Sequence, residues 1–248
     1  MNVKESSIKP MVAHLLEMRN RLLQCILVVL FIFLGLFAYS NELYLYLSDP
    51  LVANLPLNSS MIATDVTSPF MTPFKLTLVL SIFAAMPFIL YQVWAFVAPG
   101  LYKREKMIVV PLFLSSVLLF YAGMAFAYYL VFPLVFTFFT SVSPDGVLVM
   151  TDIRSYLDFV LKLFFAFGLS FQLPVVLSLL ARVGIVDSQF LKDRRKYVVV
   201  IIFAAAALLT PPDPITQIGL AIPLLILYEL SIFSVKFIEN KNLEKTDA

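Results

Sequence analysis

The acidic side chains are few, and most that could do chemistry sit beside basic ones. Glu17 lies in the segment 11–22, MVAHLLEMRNRL, four residues before Arg21, and Glu105 lies inside Lys103-Arg104-Glu105-Lys106. On an ordinary surface each would be a solvated carboxylate in a weak ion pair. Asp158 and Lys162 are also four apart and can neutralise each other on one helical face. Glu229 has no evident partner in the sequence, and Gln172 places an amide deep in an apolar run. An amide in that setting either bonds between helices or lines a hydrated cavity. The sole histidine, His14, has no nucleophile motif around it, and the single cysteine, Cys25, rules out an internal disulfide or a thiolate metal cluster. No spacing of a metal centre is present, and neither a metal nor a cofactor is expected.

The elements that must hold these groups are membrane helices. With 61% hydrophobic and 14% charged residues, a chain of 248 cannot cover itself with a water-soluble surface. Apolar runs fall at 22–40, 74–98, 108–136, 156–180, 197–210 and 215–235. Most approach or exceed the ~20 residues needed to cross ~30 Å of hydrocarbon. The run at 197–210 is short, which predicts a locally thin membrane there. Fifteen of the eighteen Lys and Arg residues lie in segments 1–21, 103–106, 182–196 and 236–248. The intervening gaps 41–72, 140–155 and 211–214 hold only Arg154. The alternation predicts six spans with both termini cytoplasmic. A net charge of +2 spread in this way excludes a basic nucleic-acid-binding face.

The segment 11–22 places Met11, Leu15, Met18 and Leu22 on one stripe, which predicts a short amphipathic helix at the interface within a cytoplasmic segment 1–21. Prolines at 87, 111, 133, 174 and 223 fall inside spans and predict kinked helices forming a concave, glove-like body. The gap 41–72 carries Pro50, Pro56 and Pro69, and Pro73 follows it; its length predicts a partly structured external cap. The turn Thr210-Pro211-Pro212-Asp213-Pro214 predicts a tight external hairpin. The residues 236–248 form a cytoplasmic tail. With no repeat and no soluble domain, the expectation is a single all-α membrane domain over 1–248.

Four stretches carry a resemblance. They are His14-Leu15-Leu16-Glu17-Met18-Arg19-Asn20-Arg21-Leu22, Thr64-Asp65-Val66-Thr67-Ser68-Pro69-Phe70, the run Tyr91-Gln92-Val93-Trp94-Ala95-Phe96-Val97-Ala98-Pro99-Gly100-Leu101-Tyr102, and Leu209-Thr210-Pro211-Pro212-Asp213. The chain resembles the TatC family, the multispanning subunit of the bacterial twin-arginine protein translocase, over essentially its full length. The resemblance implies a receptor in the bacterial inner membrane for folded cargo whose N-terminal signal carries paired arginines. It also implies single-span TatA and TatB partners, further copies of the chain, lipid surroundings and the protonmotive force as energy source, with no enzymatic activity.

By the same resemblance, Glu17 and Glu105 recognise the two arginines, Arg19 supports that site and Leu101 borders it. A carboxylate accepts the guanidinium fork through two charge-assisted bonds, whereas lysine offers a compact point charge. Pro50, Asp65, Pro69 and Asp213 belong to the external loops. The fifth span docks TatB, and Thr216 and Gln217 lie at a partner-binding patch. One departure is Gln172, where many relatives carry glutamate. An amide cannot carry a proton at neutral pH, so a polar wall of the groove receiving the signal's apolar segment is the expected role. The alternative class is a secondary transporter for a small solute, which should show an internal repeat of interrupted segments.

Overall fold

The computed structural model describes residues 3–52, 60–97, 106–141, 150–209 and 214–246. The described chain is almost wholly helical: α1 (Val3–Phe37), α2 (Ser40–Val52), α3 (Ser68–Ala84), α4 (Met86–Val97), α5 (Lys106–Phe126), α6 (Phe132–Ser141), α7 (Ile153–Ser170), α8 (Leu173–Arg182), α9 (Ser188–Asp193), α10 (Arg195–Leu209) and α11 (Pro214–Thr246). Two strands of two residues each, β1 (Met61–Ile62) and β2 (Thr151–Asp152), pair in parallel, Met61 with Thr151 and Ile62 with Asp152.

Four of the described helical segments are long and apolar enough to cross a membrane: His14–Phe37, Val110–Phe138, Ile153–Arg182 and Thr216–Asn240. The pair Ser68–Ala84 and Met86–Phe96, bent by 48°, makes a fifth when taken as one broken span. The remaining expected span is α10. Its 15 residues rise about 22 Å, short of a full hydrocarbon core.

The prolines explain the breaks. Pro87 follows the bend between α3 and α4. Pro174 stands in the first turn of α8, where its missing N–H costs nothing, directly after the turn at 171–172. Ahead of Pro133, residues Ala127–Val131 form a π-helical turn, and the Phe132 N–H reaches back to the Ala127 carbonyl. That extra residue relieves the clash a proline ring makes with the preceding turn. Pro111 and Pro223 lie within the uninterrupted helices α5 and α11.

Several elements differ from the sequence boundaries. The segment 11–22 and the first apolar run are one continuous helix, α1, with no break where the interfacial part meets the span. The gap 41–72 contains α2, which covers Pro50, and the start of α3, so the expected partial structure is present. The last helix runs on to Thr246 rather than ending near 235, and α9 occupies the basic segment before α10. The hairpin at 210–213, including Asp213, lies outside the described residues.

The chain divides into two compact units, Met1–Tyr44 with Pro73–Phe113, and Leu45–Thr72 with Leu114–Ala248. In the first, α1 packs along α4. In the second, α8 and α10 pack on α11, and an aromatic core joins Phe132, Phe136, Tyr156 and Phe164. The rings of Phe132 and Phe164 are 5.1 Å apart. α5 and α7 approach closely because Gly123 lies where a Cβ would be 2.7 Å from the Phe167 carbonyl oxygen. Ala181, Leu191, Tyr228, Ile232 and Val235 form a second cluster.

Candidate functional site

On α1, Glu17 and Arg21 face each other one helical turn apart, with the acid on the N-terminal side, the more favourable order. The guanidinium donates twice to a single carboxylate oxygen: Nε to Oε1 at 3.0 Å and Nη2 to Oε1 at 2.7 Å. Its other arm reaches α4. Nη1 donates to Gln92 Oε1 at 2.8 Å, and Nη2 approaches the Ala95 carbonyl at 3.4 Å. The Gln92 amide is buried and donates from Nε2 to Gln24 Oε1 at 2.8 Å, so both ends of a costly buried group are satisfied. His14 stacks on Phe96 with ring centroids 4.2 Å apart, closing the same two helices a turn further on. The Glu17 side chain stays 42% exposed while Arg21 is 26% exposed. The acid therefore remains reachable from solvent.

Directly beside this polar cluster lies an open groove of about 570 Å³, between α1, α3 and α4. Met18, Leu22, Ile26 and Val29 form its α1 wall, with Leu78, Ile82, Ile89 and Val93 opposite, and Arg21 and Gln92 bring polar groups to its lining. From Met18 to Phe33 the groove follows α1 for about 22 Å. Arg19 is exposed and bonds only its neighbour Asn20 among the described residues, at 3.3 Å. Leu101 and Glu105 lie outside the described residues, in the segment that follows α4.

Gln172 is placed elsewhere. It sits in the break between α7 and α8 and donates from Nε2 to the Ser116 carbonyl on α5 at 2.9 Å. It is not among the residues lining the groove. The amide is used between helices, the first of the two roles open to it. Thr216 is fully buried, and Gln217 donates to the Phe203 carbonyl at 3.0 Å, tying α11 to α10. Glu229, without an evident partner in the sequence, accepts from Arg195 at 2.6 Å. Thirty-four positions separate that pair, and only packing of α10 on α11 reveals it.

The loop residues form a tether. Asp65 accepts from the Thr67 hydroxyl at 3.2 Å and pairs with Arg154 at 3.2 Å. Its carbonyl accepts from the Ser68 amide, setting the start of α3 just before Pro69. Asp152 caps α7. Its carboxylate accepts from the amide and hydroxyl of Ser155, both at 2.9 Å, and from the amide and hydroxyl of Thr64 at 3.2 and 3.0 Å. The Ser155 amide above all holds this carboxyl down to about 2 against an opposing desolvation, with the Thr64 amide and the two hydroxyls adding to the depression. Sequence reasoning missed Gln92, Gln24 and Asp152. The signals were a glutamine inside an apolar run and an Asp-x-x-Ser before a helix.

Such an arrangement defines a multi-pass α-helical membrane protein with an exposed, cation-binding carboxylate at the end of an apolar groove. A family model described as Sec-independent protein translocase protein (TatC) matches residues 13–223. The chain is 56% identical over 224 residues to the TatC protein of Azotobacter chroococcum mcd 1, covering 90% of this chain and 88% of that one. It is 50% identical over 239 residues to TatC of Escherichia coli strain K12, with coverage of 96% and 93%. A crystal structure of the twin arginine translocase receptor TatC superposes with a TM-score of 0.81 at 37% identity, over 91% of this chain and 99% of that one. The chain belongs to the TatC family, whose members are components of a protein translocase. A small-solute transporter finds no support in these likenesses.

Proposed function

We propose that this chain is the twin-arginine signal-peptide receptor and core subunit of a Tat translocase, exporting folded proteins across the bacterial cytoplasmic membrane with the protonmotive force. The alternation of basic segments supports a topology with both termini cytoplasmic, which puts Glu17 and the 98–105 segment on the side where cargo is made. TatA and TatB type subunits and further copies of the chain are its partners, and Thr216 and Gln217 lie near a contact with them.

The observation that carries this reading is the Glu17–Arg21 pair at the end of the groove. Glu17 already binds one guanidinium, and both bonds fall on Oε1, so the carboxylate retains acceptor capacity for a second. Glu105 receives the other arginine of the signal, Arg19 supports the site, and Leu101 borders it. The apolar stretch that follows the arginine pair lies along α1 in the groove, because that groove begins at Met18, next to Glu17, and has Arg21 in its lining. Burying an apolar segment there supplies affinity, and the carboxylates supply specificity.

A photoreactive residue at Met18 or Leu22 tests this in membrane vesicles holding the full translocase. Crosslinks to a twin-arginine signal peptide are expected, with strong reduction when both arginines are lysine. Equal crosslinking to both peptides, or none to either, contradicts the proposal.

A further inference from the structure

We infer that Arg21 is a positioning residue that makes the receptor carboxylate selective for arginine over lysine. The inference rests on the reading of Glu17 as a receptor group. Three features of the geometry carry it. First, Arg21 occupies Oε1 alone, and no bond to Oε2 is present among the described residues. Second, Arg21 is itself tied to α4: Gln92 accepts from its far arm, Nη1, the Ala95 carbonyl lies 3.4 Å from Nη2, and Gln92 is held in turn by Gln24. The carboxylate is therefore pinned by a guanidinium that cannot swing with it, and little freedom is lost when a ligand arrives. Third, the pair is neutral as a unit, so an incoming cation gains little from charge alone.

Neutrality shifts discrimination from charge to shape. An ammonium offers mainly a point charge, and Arg21 has already compensated the charge it would seek. A guanidinium offers a planar fork, and two of its N–H groups can converge on Oε2 as those of Arg21 converge on Oε1. A bare glutamate would attract either cation; a glutamate already carrying one arginine favours the ligand with directional donors. Gln92 extends this role to α4, since without it the Arg21 fork is held by α1 and one long contact only.

The test uses the complete translocase in membrane vesicles and two fluorescent signal peptides, one with paired arginines and one with paired lysines. The readout is the ratio of their affinities. Arg21→Gln should weaken the arginine peptide, leave or improve binding of the lysine peptide, and reduce the ratio by roughly fivefold. Arg21→Lys should not restore it, because the fork is lost. Gln92→Leu, which keeps every charge, should lower the ratio by roughly twofold and serves as the decisive variant if Arg21→Gln does not accumulate. Glu17→Gln is the control. An unchanged ratio in Arg21→Gln and Gln92→Leu, with binding lost in Glu17→Gln, overturns the inference and leaves the receptor reading standing. Tighter binding of the arginine peptide in Arg21→Gln also overturns it, since Arg21 would then be a competitor. Unchanged binding in Glu17→Gln overturns the reading of Glu17 and the inference with it.

Discussion

Two carboxylates, Glu17 on α1 and Asp152 at the head of α7, show how the same chemical group is put to opposite uses. Asp152 accepts four bonds, two from Thr64 and two from Ser155, and its carboxyl is held down to about 2. Every acceptor position is committed to joining a loop to a helix start. Among the described residues, Glu17 accepts two bonds, both on one oxygen and both from a single residue on its own helix. The saturated group is architecture. The half-used one, set at the end of an apolar groove, is suited to a ligand that comes and goes. The surroundings follow the same division: the core around Phe132 and Phe164 is closed and aromatic, while α1 contributes no buried residue to its apolar stretch His14–Phe37.

Substitutions around Asp152 and its core should therefore damage stability, and those around Glu17 should damage binding. The largest effect is expected at Phe132, fully buried beneath the π-helical turn. Phe132→Ala should destabilise the protein by about 3–5 kcal/mol, read as the unfolding midpoint in detergent. A neutral result would show that the aromatic core is not the stabilising region. Asp152→Ala removes a helix cap and should cost about 1–2 kcal/mol, with spin labels at Val66 and Met150 reporting a broadened distance distribution.

Acid should imitate the Asp152 substitution. The carboxyl lies near 2 in the folded protein and near ~3.9 in an unfolded chain. A depressed value means that the stabilisation is complete above about pH 4 and is lost as the pH falls through 2. The same pair of labels should hold a narrow distance down to about pH 4 and broaden below it. Broadening that begins near neutrality would point to a different titrating group.

The smallest expected effect sharpens the boundary between the regions. Gln172→Leu removes one helix–helix bond and should cost about 1 kcal/mol in thermal unfolding without altering signal-peptide affinity. Gln172→Glu should retain export, since a protonated carboxyl can donate to the Ser116 carbonyl as the amide does. Loss of export in Gln172→Glu would give this position a part in transport beyond packing.

Much of this architecture was legible from the chain, because apolar length and the placement of Lys and Arg obey the bilayer rather than the details of packing. Glu17 was legible as a candidate only through the resemblance of its segment to the TatC family, since its spacing to Arg21 alone indicates no more than a weak ion pair. Its connection to Gln92 was not, since 71 residues separate Arg21 from that amide and only the packing of α1 on α4 brings them together. Arg195 and Glu229 remained unpaired on paper for the same reason. Helix α2 was hidden by prolines that read as loop punctuation, and the π-helical turn by the fact that one extra residue leaves apolar periodicity almost unchanged. Gln172 was legible as an amide inside an apolar run, yet the choice between bonding a neighbouring helix and lining a cavity needed the Ser116 carbonyl to be located.

The central claim is that Glu17 and Glu105 jointly receive the paired arginines. Its most direct test is the equilibrium affinity of a twin-arginine signal peptide for the intact translocase in membranes, before and after Glu17 and Glu105 are both changed to Gln. The account predicts an affinity loss on the order of 30-fold or more with membrane insertion of the chain unchanged. An affinity equal to that of the unaltered protein would contradict it.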